Sequence, residues 1–173
     1  MSIEGKLRGY FEFREKTTPT TAENISRLLK VGLDELTISD GSGDYQATKI
    51  WSYRESLAAT SRTWDLTALP VSNVSGTGTG SPVQSLSKVK AILLLNEGTD
   101  GQILYLGNAA SNAFCPFVSS STARLLCMPG LPLILPNVLT QASAAWTVDA
   151  SNKSLKIDAG AATITYTLAL LGV

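Results

Sequence analysis

The stretch 162-ATITYTLALLG-172 alternates residue by residue between two kinds of side chain. One set is large and mostly apolar: Ile164, Tyr166, Leu168 and Leu170. The other set is small or polar: Thr163, Thr165, Thr167 and Ala169. Because side chains of a β-strand point alternately to opposite faces, this pattern predicts a strand with one face in a core. Such a strand needs partner strands from the rest of the chain.

Other segments of strand length recur along the chain, and nearly all are bounded by Gly, Pro, Asn, Asp or Ser. They are 48–59, 62–69, 86–96, 101–107, 113–119, 122–128, 131–135, 145–150 and 153–159. In the first of them the aromatic face that contains Trp51 and Tyr53 is expected to point inward. Regular short strands without long intervening helices predict an all-β fold, an antiparallel β-sandwich of jelly-roll type.

The 173 residues fit a single domain that can bury its own core. We divide it into an N-terminal arm with the first strands, residues 1–39, and the jelly-roll sandwich, residues 40–173. The segment 6-KLRGYFEFRE-15 alternates as an amphipathic strand. The segment 20–32 has both a capping-box spacing and apolar helical spacing, so it is either a helix or a strand that continues into 33–39.

Charge and composition narrow the possible partners. Lys plus Arg equals 14 and Asp plus Glu equals 14, so no net field attracts the chain to nucleic acid or to an anionic membrane. Charged residues make up only 16% of the chain, which suggests that partner proteins cover part of the surface. The start lacks the apolar core of a signal peptide and the longest apolar run is 91-AILLL-95, so we expect synthesis in a cytoplasm.

The sequence contains no histidine. Histidine-dependent nucleophiles, histidine general bases and histidine metal sites are therefore impossible, and we predict a protein that is not an enzyme and binds no metal or cofactor. A glycosidase could still use two carboxylates. The candidates are Asp34, Glu35, Asp40, Asp44, Glu55, Asp65, Glu97 and Asp100.

Four other patterns have a structural and a functional interpretation. The turn 40-DGSGD-44 resembles the start of a calcium loop but lacks its glycine and closing glutamate, which favours a solvated turn. The loop 76-GTGTGS-81 lacks the lysine of a phosphate loop. Trp51, Trp64 and Trp146 could stack on sugars, but their apolar neighbours favour packing. Cys115 and Cys127 are predicted to be buried thiols.

A resemblance emerges from patterns taken in order. These are 40-DGSGDYQATKIWSYRESLAATSRTWDLTAL-69, 86-LSKVKAILLLNEG-98, then YLGNAASNAF, MPGLPLILP and AAWTVDASNKSLKIDAGAATITYTLALLGV. The series resembles a family of small virion proteins of tailed phages and covers most of residues 40–173. Leu131 departs from the family pattern, which has a second glycine there. The resemblance implies a jelly-roll decoration, or cement, protein on the outside of the capsid, often a homotrimer, with the major capsid protein as its partner.

The N-terminal segment is the predicted contact region, because charged and aromatic residues alternate there. The candidate residues are Lys6, Arg8, Tyr10, Phe11, Phe13 and Arg14. The alternative is that Phe11 and Phe13 only fill the sandwich. Two other functions remain open: a phage tail or baseplate component that binds host-surface carbohydrate, and a cytoplasmic enzyme or non-viral binding module.

Overall fold

The computed structural model of the chain describes residues 5–16, 26–70, 84–137 and 146–173, with residues up to 40 described as backbone. The strands in these ranges are β1 (Gly5–Lys16), β2 (Ser26–Asp40), β3 (Gln46–Ala47), β4 (Lys49–Ala58), β5 (Ser61–Asp65), β6 (Val89–Asn96), β7 (Leu104–Gly107), β8 (Arg124–Cys127), β9 (Leu133–Pro136), β10 (Ser154–Asp158) and β11 (Thr163–Gly172). None of the described segments is a helix long and apolar enough to cross a membrane.

Two four-stranded antiparallel sheets form the body of the protein. Their strand orders are β4-β11-β6-β9 and β5-β10-β7-β8. Strands β4 to β11 therefore pair first with last: β4 with β11, β5 with β10, β6 with β9 and β7 with β8. This is the connectivity of one long hairpin rolled into two layers, the jelly roll. The predicted all-β antiparallel sandwich is confirmed.

Strand β11 organises the first sheet because it pairs along its length with β4 on one side and β6 on the other. Its predicted inner set, Ile164, Tyr166, Leu168 and Leu170, is fully buried. The neighbouring strands follow the same alternation: Trp51 and Leu57 are buried on β4, and Ile92 and Leu94 on β6. The strand alternation in the sequence is thus the alternation between the core and the outer face of the sheet.

Aromatic rings occupy two parts of the core. Trp51, Tyr53 and Trp64 form one cluster, with ring centroids 4.7 to 5.7 Å apart. Trp146 packs edge-on against Phe114 and Phe117 in the other, each at 6.1 Å. Such offset and edge-to-face pairs add stabilisation to the burial of the rings.

The strands predicted at 113–119 and 145–150 are wrong for 113–119 and for 146–150, while residue 145 lies outside the described residues. Ala113 forms only an isolated bridge to Ser154, and the chain then turns through Pro116, which cannot donate a ladder hydrogen bond. The second segment makes isolated bridges at Thr147 and Asp149. There the Asp149 carboxylate accepts hydrogen bonds from the backbone N–H and hydroxyl of Ser151, a local turn that competes with a ladder.

The ambiguous segment 20–32 is a strand from Ser26 onward, because these residues belong to β2 and pair with β1. The helix interpretation is therefore wrong for 26–32, while 20–25 lie outside the described residues. The glycine-rich loop 76–81 lies outside them as well.

A third sheet has the order β1-β2-β3 and shares no strand with the two sheets of the sandwich. Strands β1 and β2 form a long antiparallel ribbon, and β2 meets β3 through two parallel residue pairs, Ser39 with Gln46 and Asp40 with Ala47. Strand β4 follows β3 directly, so the ribbon joins the sandwich where the first core strand begins.

Candidate contact surfaces

All the predicted contact residues lie on β1: Lys6, Arg8, Tyr10, Phe11, Phe13 and Arg14. This strand belongs to neither sheet of the sandwich. Sequence reasoning missed the role of β2, which supplies the partner strand along the whole of β1. The apolar residues of 20–32 fit a helical spacing as well as a strand that continues into 33–39, so the pattern did not distinguish the two.

The β1–β2 ribbon has a long and regular register. Phe11 pairs with Val31 and Phe13 with Leu29, whereas Glu12 pairs with Lys30 between them. Paired residues of antiparallel strands occupy the same face, so the Phe11–Val31 and Phe13–Leu29 pairs share one face of the ribbon and the Glu12–Lys30 pair lies on the other. The twelve residues of β1 extend about 40 Å at roughly 3.3 Å per residue.

The register shifts between Leu7 and Gly9, near the base of the ribbon. Their partners on β2 are Leu36 and Leu33, so β2 has one more residue than β1 in this interval. An extra residue of this kind bends the strand and increases its twist. The strands of the ribbon therefore change direction at this point, between the base and the outer part.

A hydrogen-bonded turn attaches the ribbon to the sandwich. The amide of Gly41 donates to the carbonyl of Ala47 at 3.3 Å, and the amide of Gly43 donates to Oε1 of Gln46 at 2.8 Å. The amide of Thr48 then donates to the carbonyl of Gly172 at the end of β11, at 3.0 Å. The predicted turn at 40–44 is confirmed as a turn.

Buried Lys90 reaches this turn from β6, because its Nζ donates to the carbonyl of Gly43 at 3.1 Å. Lys90 lies at a register shift, where Leu171 pairs with Ala91 and Gly172 pairs with Val89. Burial, together with the nearby charge of Lys88, lowers the pKa of Lys90, and Asp44 partly opposes that shift. We call this contact the Lys90 clamp.

A polar network surrounds the buried hydroxyl of Tyr166. The hydroxyl of Tyr166 donates to Oε2 of Glu55 and accepts from Nε1 of Trp64, both at 3.0 Å. Arg62 packs its guanidinium over the Trp64 ring at 4.6 Å and lies 3.9 Å from the same carboxylate. Burial, reinforced by Glu55, raises the pKa of Tyr166 above its usual value. The hydroxyl therefore stays protonated and serves as a structural link.

The candidate glycosidase carboxylates are spread over the molecule. Glu55 faces the core through its bond to Tyr166, whereas Glu97 accepts from Arg54 at 2.6 Å. Arg54 and Glu55 are consecutive on β4 and so lie on opposite faces of the sheet, which separates these two carboxylates. Asp65 accepts from Lys153 at 2.8 Å on the other sheet. Asp34, Glu35 and Asp40 lie on β2, and Asp44 and Asp100 lie in turns.

Trp51, Trp64 and Trp146 are 0%, 2% and 8% exposed. Their rings pack in the core clusters, so the sugar-stacking interpretation of these residues is wrong for the folded chain. Among the described residues no three His, Cys, Asp or Glu side chains form a group that could hold a metal ion.

Both cysteines are free thiols. Cys127 is buried as predicted, but Cys115 is only half-buried, because it lies in the irregular segment after the isolated bridge at Ala113. Burial raises the pKa of both thiols. Neither is therefore an activated nucleophile.

Comparison with known proteins adds no identification. The sequence matches no protein-family model, and neither a curated protein nor a solved structure is significantly similar to it. The phage-virion resemblance therefore stays a prediction.

Proposed function

We propose that the chain is a decoration protein that binds the outside of an assembled phage capsid and stabilises it through protein contacts. The observation that carries this proposal is the β1–β2 ribbon. It is long, belongs to neither sheet of the sandwich and is attached at its base by β3 and the Lys90 clamp. A two-stranded ribbon is marginally stable alone in water, so a partner surface that covers it supplies the missing stabilisation.

The ribbon provides two kinds of contact in this role. Its apolar register positions, which include Phe11 with Val31 and Phe13 with Leu29, pack on an apolar surface of the capsid protein. The outer edge of β1, which has no strand partner among the described residues, accepts a strand of that protein. The rigid sandwich then holds the ribbon over neighbouring capsid subunits.

Stabilisation of the capsid follows from linkage. A protein that binds only the assembled capsid lowers the free energy of that state. The size of this effect grows with the logarithm of one plus the ratio of its free concentration to its dissociation constant. The proposed partners are the major capsid protein and further copies of this chain, as a homotrimer at three-fold positions where each copy meets an equivalent surface. The proposed location is the capsid surface of the virion.

The direct test replaces Phe11 and Phe13, two of the proposed apolar contact positions, by Ala together and measures binding to capsids assembled without this chain, by co-sedimentation. We expect occupancy to fall about tenfold or more, because contact residues at an interface centre commonly contribute that much affinity. The matched control is the pair Tyr45→Ala and Ile50→Ala, which removes two exposed large apolar side chains outside the ribbon. Equal occupancy of both double variants, each with an unchanged circular dichroism spectrum, removes the ribbon from the contact.

A further inference from the structure

Two buried polar side chains lie next to each other where β6 begins and β9 ends. The β6–β9 register pairs Ile92 with Leu135, and both side chains pack in the core. Two residues farther along, Asn137 lies opposite Lys90, and its backbone amide donates to the carbonyl of Lys90 at 2.6 Å. Opposite residues of antiparallel strands carry their side chains on the same face. Lys90 is 1% exposed and Asn137 is 8% exposed, so their side chains meet below the surface of the protein.

Both side chains carry hydrogen-bond donors that have no acceptor within the chain. The ammonium of Lys90 has three N–H donors, and among the described residues it has one acceptor, the carbonyl of Gly43. The buried Nδ2 of Asn137 has no acceptor in the described part of the chain. Buried polar groups in folded proteins are almost always hydrogen-bonded. An unpaired amide beside an ammonium with spare donors therefore indicates an acceptor that the two groups share.

The charge at this position favours an anion over a neutral acceptor such as water. A buried ammonium needs an opposite charge to compensate it, and Gly43 supplies only a neutral carbonyl. Lys88 adds a second positive charge nearby. Asp44 opposes these charges from an exposed position in the turn, where solvent screens it. Two positive charges therefore act against one screened negative charge.

We propose that Lys90 and Asn137 form a binding site for a small inorganic anion, with chloride as the simplest occupant. Nζ of Lys90 and Nδ2 of Asn137 donate to the ion from adjacent strands. Because both side chains are almost fully buried, the site excludes larger organic anions. The segment 138–145, which follows Asn137, contains no Asp or Glu that could supply the charge from within the chain. The bound anion also holds Lys90 in the orientation that contacts Gly43, which stabilises the turn beneath the ribbon.

The first test measures urea unfolding of the full chain while chloride replaces gluconate at a constant sodium concentration. Gluconate maintains the ionic strength but is too large for the site. An anion that binds only the folded chain multiplies the folding equilibrium constant by one plus the ratio of its concentration to its dissociation constant. For the wild type we expect an increase of about tenfold when chloride reaches ten times its dissociation constant.

The variants separate this site from a general effect of salt. Lys90→Met removes the ammonium, and Asn137→Asp supplies a carboxylate in place of the anion, so we expect the chloride dependence to disappear in both. The matched control is Lys49→Met, because Lys49 also donates to a backbone carbonyl, that of Ser85 at 2.6 Å. This control should keep the chloride dependence of the wild type.

A second measurement needs no substitution. In an isotope-labelled wild-type chain, the NMR signals of the Asn137 side-chain amide should shift with chloride and reach a plateau. If Lys90→Met and Asn137→Asp do not fold, this titration decides alone. Two results would overturn the proposal: an Asn137 amide that does not respond to chloride, or an equal chloride dependence of stability in wild type and Lys90→Met. The first would mean that Asn137 turns its side-chain oxygen to Lys90 and the pair satisfies itself.

Discussion

Tyr166→Phe removes one oxygen from the centre of the sandwich and breaks the polar network at both ends. In the folded protein the hydroxyl accepts from Nε1 of Trp64 and donates to Oε2 of Glu55, each at 3.0 Å. Phenylalanine keeps the ring and its packing. The change in the free energy of unfolding therefore reports the hydrogen bonds with little contribution from a cavity.

The two ends of the network differ in what the variant leaves behind. Glu55 is half-buried, so water replaces the lost donor in part. Trp64 is 2% exposed, so its N–H becomes a buried donor without a partner. A hydrogen bond to a charged group contributes about 1.5–3 kcal/mol, and a buried unsatisfied donor costs about 1–3 kcal/mol. Because the two contributions overlap, we expect a total loss of roughly 2–4 kcal/mol.

The assay is urea unfolding at neutral pH followed by tryptophan fluorescence, which reports on three tryptophans that are all buried. Tyr53→Phe is the matched control, because its ring stacks on Trp51 and its hydroxyl takes no part in the network; we expect a change of about 0.5 kcal/mol or less. If Tyr166→Phe unfolds within about 0.5 kcal/mol of wild type, the network does not stabilise the sandwich as described.

Three further predictions concern other groups. The hydrogen bond from Arg54 lowers the pKa of Glu97. The stability difference between wild type and Glu97→Gln should therefore be largest above pH 4.5 and disappear as the pH falls below that value. A stability difference that persists in acid would contradict this prediction. Burial lowers the pKa of Lys90, so between that lowered pKa and 10.5 the unfolded chain binds more protons than the folded chain. The stability of the wild type relative to Lys90→Met should therefore rise with pH in that window. A flat or falling stability difference would contradict this prediction. In the native protein Cys115 should react with iodoacetamide before Cys127, and equal labelling rates by mass spectrometry would contradict the burial difference.

The parts of the fold that follow a period of two were predictable. Strand β11 and the inner face of β4 were predicted residue by residue, because alternation is a direct property of a strand at the core. The strands predicted around Pro116 and Asp149 do not form, because a proline and a local side-chain turn override the apolar pattern there. The periodicity of apolar residues alone does not predict those effects.

The buried polar side chains that hold the turns at Gly43 and Gly130 were not predictable from the sequence. Lys90 lies in 88-KVKAILLLN-96, where a lysine is expected to face solvent. It is buried at the register shift beside Gly172, which gives β6 an extra residue. Asn96 ends the same segment, and its partners come from Gly98, Gln102 and Cys127. Both roles depend on which strands pair, which local sequence does not determine.

The measurement that tests the central claim most directly is the copy number of this chain in purified virions of the phage proposed to encode it, by quantitative mass spectrometry against the major capsid protein. The decoration role predicts a number of the same order as that of the capsid protein. A number far below it would indicate a tail component, and absence from the particle would contradict a structural role in the virion altogether.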